Sequence, residues 1–301
     1  MKIVIDKRFY ETVSASFPDL EFYTEPGDCP DAQALIGEPE LMKKEILEKL
    51  PNLKWLQLLR AGYDMIDVNY IRERGIILTN GKDIFSIPIA EDVVCKILIH
   101  STNALKYIEN KRTHIWDNSL RRTELNGQTI GIIGTGSIAT EIAKRLSMFG
   151  VKILGYKRTP VVTLPYFDEL YSGKEGLEYV MSQSDYLIVT ADLNKETFHM
   201  INRDNIKLMK KTSSIINIAR GSIINQEDLK EALKNKIVAY AGLDVYEVEP
   251  LPEDDALWNL DNTYLTPHAC GLVKGNKNRW EKLVIQNIKS FKNNEKLINV
   301  V

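Results

Sequence analysis

Several absences narrow what this 301-residue chain can be. No uncharged apolar stretch approaches the roughly 20 residues that a membrane-crossing helix requires. The opening Met1-Lys-Ile-Val-Ile-Asp6 lacks the basic start and apolar run of a secretory leader and fits a first β-strand instead. Cysteine is scarce and odd in number: Cys29, Cys95 and Cys270 show neither metal-ligand spacing nor the makings of a disulfide framework. Excess charge is also missing, since the formal net charge is -2, which argues against nucleic acid or an anionic membrane as partner. Repeats and low-complexity tracts are not visible. The expectation is a reduced, cytoplasmic protein with no metal site, no membrane and no nucleic acid.

What is present fits a folded chain: 44% hydrophobic and 27% charged residues are enough for real cores. Short apolar runs alternate with amphipathic stretches, as in parallel α/β architecture. Strands are expected at residues 2–5, 34–36, 55–59 and 76–78, with a helix over 40–50 ended by Pro51. A long apolar helix should open near Pro88, and a polar arm follows over 106–125. Further strands are expected at 130–133, 152–156, 186–189, 214–218, 239–243 and 263–265, and a last helix at 278–291. His100 falls in the long helix, His114 in the arm and His199 near a helix start, where a structural role is the simplest reading.

One local pattern carries a ligand class. Residues 129–139 form a strand, a turn at Gly134-Thr-Gly136 and the start of a helix at Ser137 and Ile138. Gly134 permits the sharp turn, Gly136 lets backbone approach a pyrophosphate, and the helix N-terminus offers free N–H groups. Ala139 stands where a third glycine is common. A carboxylate normally ends the next strand and accepts from the adenosine ribose. Here the run is Gly155-Tyr-Lys157-Arg158-Thr159, which suits a 2′-phosphate and favours NADP(H) over NAD(H). Solvated loop charges with NAD(H) as cofactor are the alternative.

A second constellation carries chemistry. Arg220, after Ala219 at the end of an apolar run and before Gly221, supplies a planar cation suited to a carboxylate. Glu249 follows Gly242-Leu-Asp-Val-Tyr, and His268 follows a strand end and Pro267. His268 is assigned as the general acid of a reduction and Glu249 as its orienting partner, so reduction should slow as pH rises. Backbone N–H groups of Ala61 and Gly62, in Leu59-Arg-Ala-Gly-Tyr-Asp64, suit a carboxylate cradle, an ordinary turn being the alternative.

With those residues on the page, the chain resembles the D-isomer-specific 2-hydroxyacid dehydrogenases over nearly its whole length. The resemblance rests on the Gly134 turn, Asn217-Ile-Ala-Arg-Gly-Ser222, Gly242-Leu-Asp-Val245 with Glu249-Pro250, and Thr266-Pro-His268. It implies two doubly wound parallel-sheet domains. A flavodoxin-like substrate domain would take residues 1–97 with 274–301, and a Rossmann cofactor domain 98–273. It further implies reduction of a small 2-oxo acid to the D-2-hydroxy acid, as in glyoxylate/hydroxypyruvate reductases. Asp244 would accept from the nicotinamide carboxamide, Ala219 would line the cofactor, and the arm would serve a homodimer. An NAD-linked dehydrogenase of the lactate or phosphoglycerate type is the alternative, and a dinucleotide-sensing corepressor a more distant one. Residues 191–194, Ala-Asp-Leu-Asn, depart from the family's usual Pro-Leu-Thr, and Ala269-Cys-Gly-Leu-Val273 departs from its small polar run. Tyr63, Phe85 and Trp280 are candidate walls of the substrate pocket, whose preference the sequence leaves open.

Overall fold

Period-2 burial sets the first sheet. In β1 (Lys2–Ile5), Ile3 and Ile5 face one core while Val4 faces another, which only a strand covered on both faces requires. The computed structural model describes residues 1–63, 65–160 and 162–301; Asp64, the last residue of the expected carboxylate loop, lies outside them. Two compact units emerge, Met1–Phe85 with Leu272–Val301, and Ser86–Gly271.

The first unit runs β1, α1 (Lys7–Ser16), β2 (Glu21–Tyr23), β3 (Ala34–Gly37), α2 (Lys44–Leu47), β4 (Trp55–Leu58), α3 (Val68–Glu73) and β5 (Ile77–Thr79). Its five strands are all parallel in the order β2-β1-β3-β4-β5, the flavodoxin-like arrangement. The expected helix over 40–50 is broken: Pro39–Met42 forms a 3-10 turn and α2 a single α turn. Lys43 between them is extended, at φ -69 and ψ 147. The kink still buries Met42, Leu47 and Leu50. Strand β2 escaped notice because it is a three-residue, partly exposed edge.

The second unit runs α4 (Ser86–Ser101), α5 (Ala104–Arg112), β6 (Thr129–Ile133), α6 (Ser137–Leu146), β7 (Lys152–Tyr156), β8 (Glu169–Tyr171) and α7 (Gly173–Gln183). It continues through β9 (Tyr186–Val189), α8 (Arg203–Ile206), β10 (Ser214–Asn217), α9 (Gln226–Lys234), β11 (Tyr240–Leu243) and β12 (Thr263–Leu265). Seven parallel strands take the order β12-β11-β10-β9-β6-β7-β8, a Rossmann order with one strand added beyond the sixth. The chain reverses direction across the sheet between β6 and β9, so the loops leaving those two strands open a crevice at that switch point. The start of the expected polar arm is helical, as α5.

The last helix, α10 (Asn276–Lys292), returns to the first unit and buries Trp280, Val284 and Ile288 with Phe9 and Val13 of α1. The tail follows: Val301 N–H donates to Leu78 O at 2.9 Å. The compact second unit begins at Ser86, whereas residue 98 was the expected boundary; α4 packs along α6 over its length and so groups with the later strands.

Candidate active site

At the end of β6 the chain turns at Gly134, whose φ of +94 favours glycine. A Cβ there would meet Ala191 N at 2.7 Å, and Thr190 Oγ1 donates to Gly134 O at 3.1 Å, so the turn lies against the loop after β9. Gly136 caps α6 without a side-chain hydrogen bond, and a Cβ on it would meet nothing within 4 Å. Between them Thr135 Oγ1 is buried with no hydrogen-bond partner among the described residues. An open helix N-terminus, an orphaned hydroxyl and a backbone that can be approached closely fit the pyrophosphate of a dinucleotide. Ser86 Oγ donates to Ser137 Oγ at 3.3 Å, which holds the first residue of α6 to α4. Ile138 is half-buried, and Ala139 is fully buried at the third-glycine position.

The adenosine end is set by β7. Gly134 N donates to Tyr156 O at 2.9 Å, which ties the turn to the strand end just before Lys157, Arg158 and Thr159. Those three side chains are exposed. Arg158 does not stand alone: its Nη1 donates to Glu196 Oε2 at 2.7 Å. Glu196 sits on a structured turn in which Asn194 Oδ1 accepts from Glu196 N at 2.8 Å and Thr197 N at 3.1 Å. Burial first, and then the Glu196 carboxylate, raise the Tyr156 phenol above its ordinary value.

The catalytic candidates leave the C-terminal ends of β10, β11 and β12. Asn217, buried at the end of β10, accepts from Ala219 N at 3.1 Å and donates to Arg220 O at 3.0 Å, so one side chain shapes the turn that presents Arg220. Ala219 is itself buried, and its carbonyl accepts from Arg220 Nη1 at 2.8 Å. Gly221 is required next: a Cβ would lie 1.9 Å from Tyr246 C. That contact sets Arg220 beside the segment leading to Glu249, which precedes a cis proline. Glu249 Oε1 accepts from Tyr246 N at 3.0 Å, while Oε2 lies 2.8 Å from His268 Nδ1. A carboxylate only accepts, so Nδ1 carries a proton and Nε2 is the ring atom left for exchange. Among the described residues Nε2 has no hydrogen bond. Arg220, Glu249 and His268 thus follow the C-terminal ends of three neighbouring strands.

Behind His268 lies a buried network that sequence reasoning missed. His268 takes φ +51, and its N–H donates to Asp244 O at 2.8 Å. Asp244, 0% exposed, accepts through Oδ1 from Thr266 Oγ1 and from Ala269 N at 2.9 Å, and through Oδ2 from Cys270 N at 3.1 Å. The carboxylate expected at the cofactor thus also straps down the loop that carries His268. Thr266 Oγ1 in turn accepts at 3.1 Å from Lys96 Nζ on α4, a lysine 0% exposed that also pairs with Asp92. Burial raises the Asp92 carboxyl above its ordinary value, against the opposing pull of Lys96. Burial and then the Asp244 carboxylate hold the Cys270 thiol far above its usual range, so it stays a thiol beside the site. One signal was available: Lys96 lies on the same helical stripe as Val93 and Ile97, where a cation needs partners.

The other histidines are placed differently. His199 Nε2 lies 2.8 Å from Glu247 Oε1, and its Nδ1 faces Asn225 Nδ2 at 3.5 Å. His100 stacks on Tyr240 with centroids 4.6 Å apart, and His114 is exposed after α5. In the first unit, Asn80 Nδ2 donates to Ala61 O at 2.7 Å and Gly81 N to Arg60 O at 2.7 Å, which fixes the backbone ahead of Gly62. Trp280, a candidate pocket wall, is instead buried against Gly81 and edge-on to Phe85, with centroids 6.0 Å apart. Tyr63 is exposed. Among the described residues no His, Cys, Asp and Glu group has the makings of a metal site, and no helix is long and apolar enough to cross a membrane.

Known proteins share this arrangement. The sequence profile of the family described as "D-isomer specific 2-hydroxyacid dehydrogenase, NAD binding domain" matches residues 94–270. Glyoxylate reductase of Pyrococcus horikoshii is 35% identical over 264 residues, 85% of this chain and 78% of that protein. Among solved structures, a D-isomer specific 2-hydroxyacid dehydrogenase family protein from Aeromonas salmonicida aligns with TM-score 0.86 at 27% identity, covering 100% of this chain and 97% of that one. A glyoxylate reductase from Paecilomyes thermophila aligns with TM-score 0.84 at 26% identity, covering 100% and 98%.

Proposed function

The chain belongs to the D-isomer specific 2-hydroxyacid dehydrogenase family, and from that premise we propose that it is an oxidoreductase that reduces a small 2-oxo acid of the glyoxylate or hydroxypyruvate class. The observation that carries this reading is the His268–Glu249 pair, oriented through Nδ1 with Nε2 open, on the loop after β12 beside the Arg220 turn. When bound, a reduced nicotinamide supplies the hydride. The chain's own residues do the rest. Arg220 pairs with the substrate's carboxylate and polarises its carbonyl, because a guanidinium fork matches both oxygens. The Ala61 and Gly62 amides, on a loop of the first unit that Asn80 holds in shape, are proposed to bind carboxylate. His268 Nε2 gives its proton to the carbonyl oxygen as negative charge develops there, and Glu249 holds the ring in position through Nδ1.

The exposed Lys157, Arg158 and Thr159 at the end of β7, where no carboxylate stands, support NADP(H) as the preferred nucleotide. A homodimer is the proposed assembly, supported by the exposed apolar side chains Ile108, Ile115, Trp116 and Met148 on α5, the arm and the 3-10 turn after α6. An initial-rate panel of glyoxylate, hydroxypyruvate, pyruvate, 2-ketoisocaproate and phenylpyruvate with NADPH and NADH tests both claims. Turnover is expected with the smallest acids and a higher kcat/KM with NADPH. No turnover across the panel would remove the enzymatic reading and favour a dinucleotide-sensing protein; a higher kcat/KM with NADH would remove the cofactor preference alone.

A further inference from the structure

The basic cluster that marks the adenosine end carries its own counter-charge. Lys157 and Arg158 leave β7 side by side, and Glu196 reaches Arg158 from the loop after β9 with Oε2 2.7 Å from Nη1. The loop is held for that purpose at both ends. Near its start, Ala191 lies against the Gly134 turn, and its last turn is fixed by the Asn194 side chain and by Thr197 Oγ1, which donates to Asp192 O at 2.7 Å. Glu196 is thus presented at the nucleotide rim by ordered backbone, although its side chain and that of Arg158 are both largely exposed.

We infer that Glu196 is a cofactor-selectivity residue, which competes with the 2′-phosphate of an adenine dinucleotide for Arg158. The inference rests on the 2′-phosphate reading of Lys157 and Arg158. With Glu196 ionised, two cations and one carboxylate leave this cluster one positive charge in place of two. A 2′-phosphate brings nearly two negative charges at neutral pH, so it must displace Glu196 from Arg158 and then sit beside that carboxylate. A bare ribose hydroxyl has neither cost. Glu196 therefore narrows a preference for NADP(H) that Lys157 and Arg158 alone would make wide. Because the ion pair is exposed, the competition is mild and the pair opens readily.

Calorimetric titration of the full chain with NADP+ and with NAD+ tests this without turnover, using Glu196→Gln, Arg158→Gln and the double variant. Both positions of change are on the surface, so matching thermal midpoints confirm folding of all three variants. Glu196→Gln is expected to tighten NADP+ by about three- to tenfold, the size of one exposed ion pair plus one screened like-charge contact, while NAD+ moves by less than about twofold. Arg158→Gln should weaken NADP+, and in the double variant the gain from Glu196→Gln should shrink. If Arg158→Gln weakens NADP+ but Glu196→Gln leaves the NADP+ to NAD+ affinity ratio unchanged, the role of Glu196 is overturned and the 2′-phosphate reading stands. If Arg158→Gln leaves NADP+ binding unchanged, both fall.

Discussion

Two histidine–glutamate pairs in the second unit look alike at first measurement. His268 Nδ1 lies 2.8 Å from Glu249, and His199 Nε2 lies 2.8 Å from Glu247. Both histidines even take the left-handed backbone, at φ +51 and +49. The difference is in what remains available. Both ring nitrogens of His199 face partners, Glu247 on one side and Asn225 on the other, and Glu247 Oε1 also accepts from Gln226 N at 2.9 Å. That pair ties the segment after β9 to the start of α9 and leaves no atom for a substrate. His268 spends one nitrogen on orientation and keeps the other, at the C-terminal end of a parallel strand where α/β ligands collect. An ion-pair distance does not separate a structural histidine from a catalytic one; the count of unengaged nitrogens and the place in the topology do.

The largest break in that comparison should come from His268→Asn. Loss of a positioned general acid is worth about a hundred- to ten-thousandfold, and it should fall on kcat while nicotinamide nucleotide affinity stays close to that of the parent. Rapid-mixing measurement of turnover with saturating glyoxylate, beside a nucleotide titration, reads both quantities. Turnover within a few-fold of the parent would mean that the open Nε2 is not the proton source.

The contrast also shows which parts of this molecule were legible in sequence. Gly134, Arg220-Gly221 and His268 announce themselves because their requirements are local. A positive φ, a strand end and a backbone with no room for a Cβ are each written within a few residues. The parallel sheets were legible for the same reason, since buried strands read as continuous apolar runs. Partners joined across long separations were not. Lys96 meets Thr266 across 170 positions and Arg158 meets Glu196 across 38, and nothing in either neighbourhood names the other. The same holds for Asp244: its motif marked it as a nucleotide contact, but the fold shows its carboxylate also holding the amides of Ala269 and Cys270. The expected helix over 40–50 failed because apolar spacing fixes which residues are buried, and a broken path buries Met42, Leu47 and Leu50 as well.

His199→Ala sharpens the comparison from the structural side. It removes a hydrogen bond to a carboxylate in a partly exposed site, so about 1–2 kcal/mol of stability should be lost. Urea unfolding measures that loss, and kcat for the folded variant should stay within about twofold of the parent. A large kcat loss at full stability would put His199 in the chemistry and dissolve the distinction.

The smallest effect belongs to His100, a histidine with no carboxylate partner among the described residues. Its ring stacks on Tyr240 in the second unit, and burial lowers its pKa from the ordinary 6.5. Well above pH 6.5 the ring is neutral in both folded and unfolded chains and costs nothing. Below it the unfolded chain takes up a proton that the folded chain resists, so stability falls as pH drops, by at most about 1.4 kcal/mol per pH unit. The contribution is present at and above neutrality and is lost on the acid side, down to the lowered pKa of the folded ring. His100→Phe keeps an aromatic face for Tyr240 and has no proton to take up, so its unfolding free energy should decline less steeply than that of the parent between pH 7.5 and 5.5. Parallel slopes for the two proteins would show that His100 protonates as easily folded as unfolded. Burial without a partner would then not be enough to keep a histidine neutral here, and the open nitrogen of His268 would need more than its location to explain its reactivity.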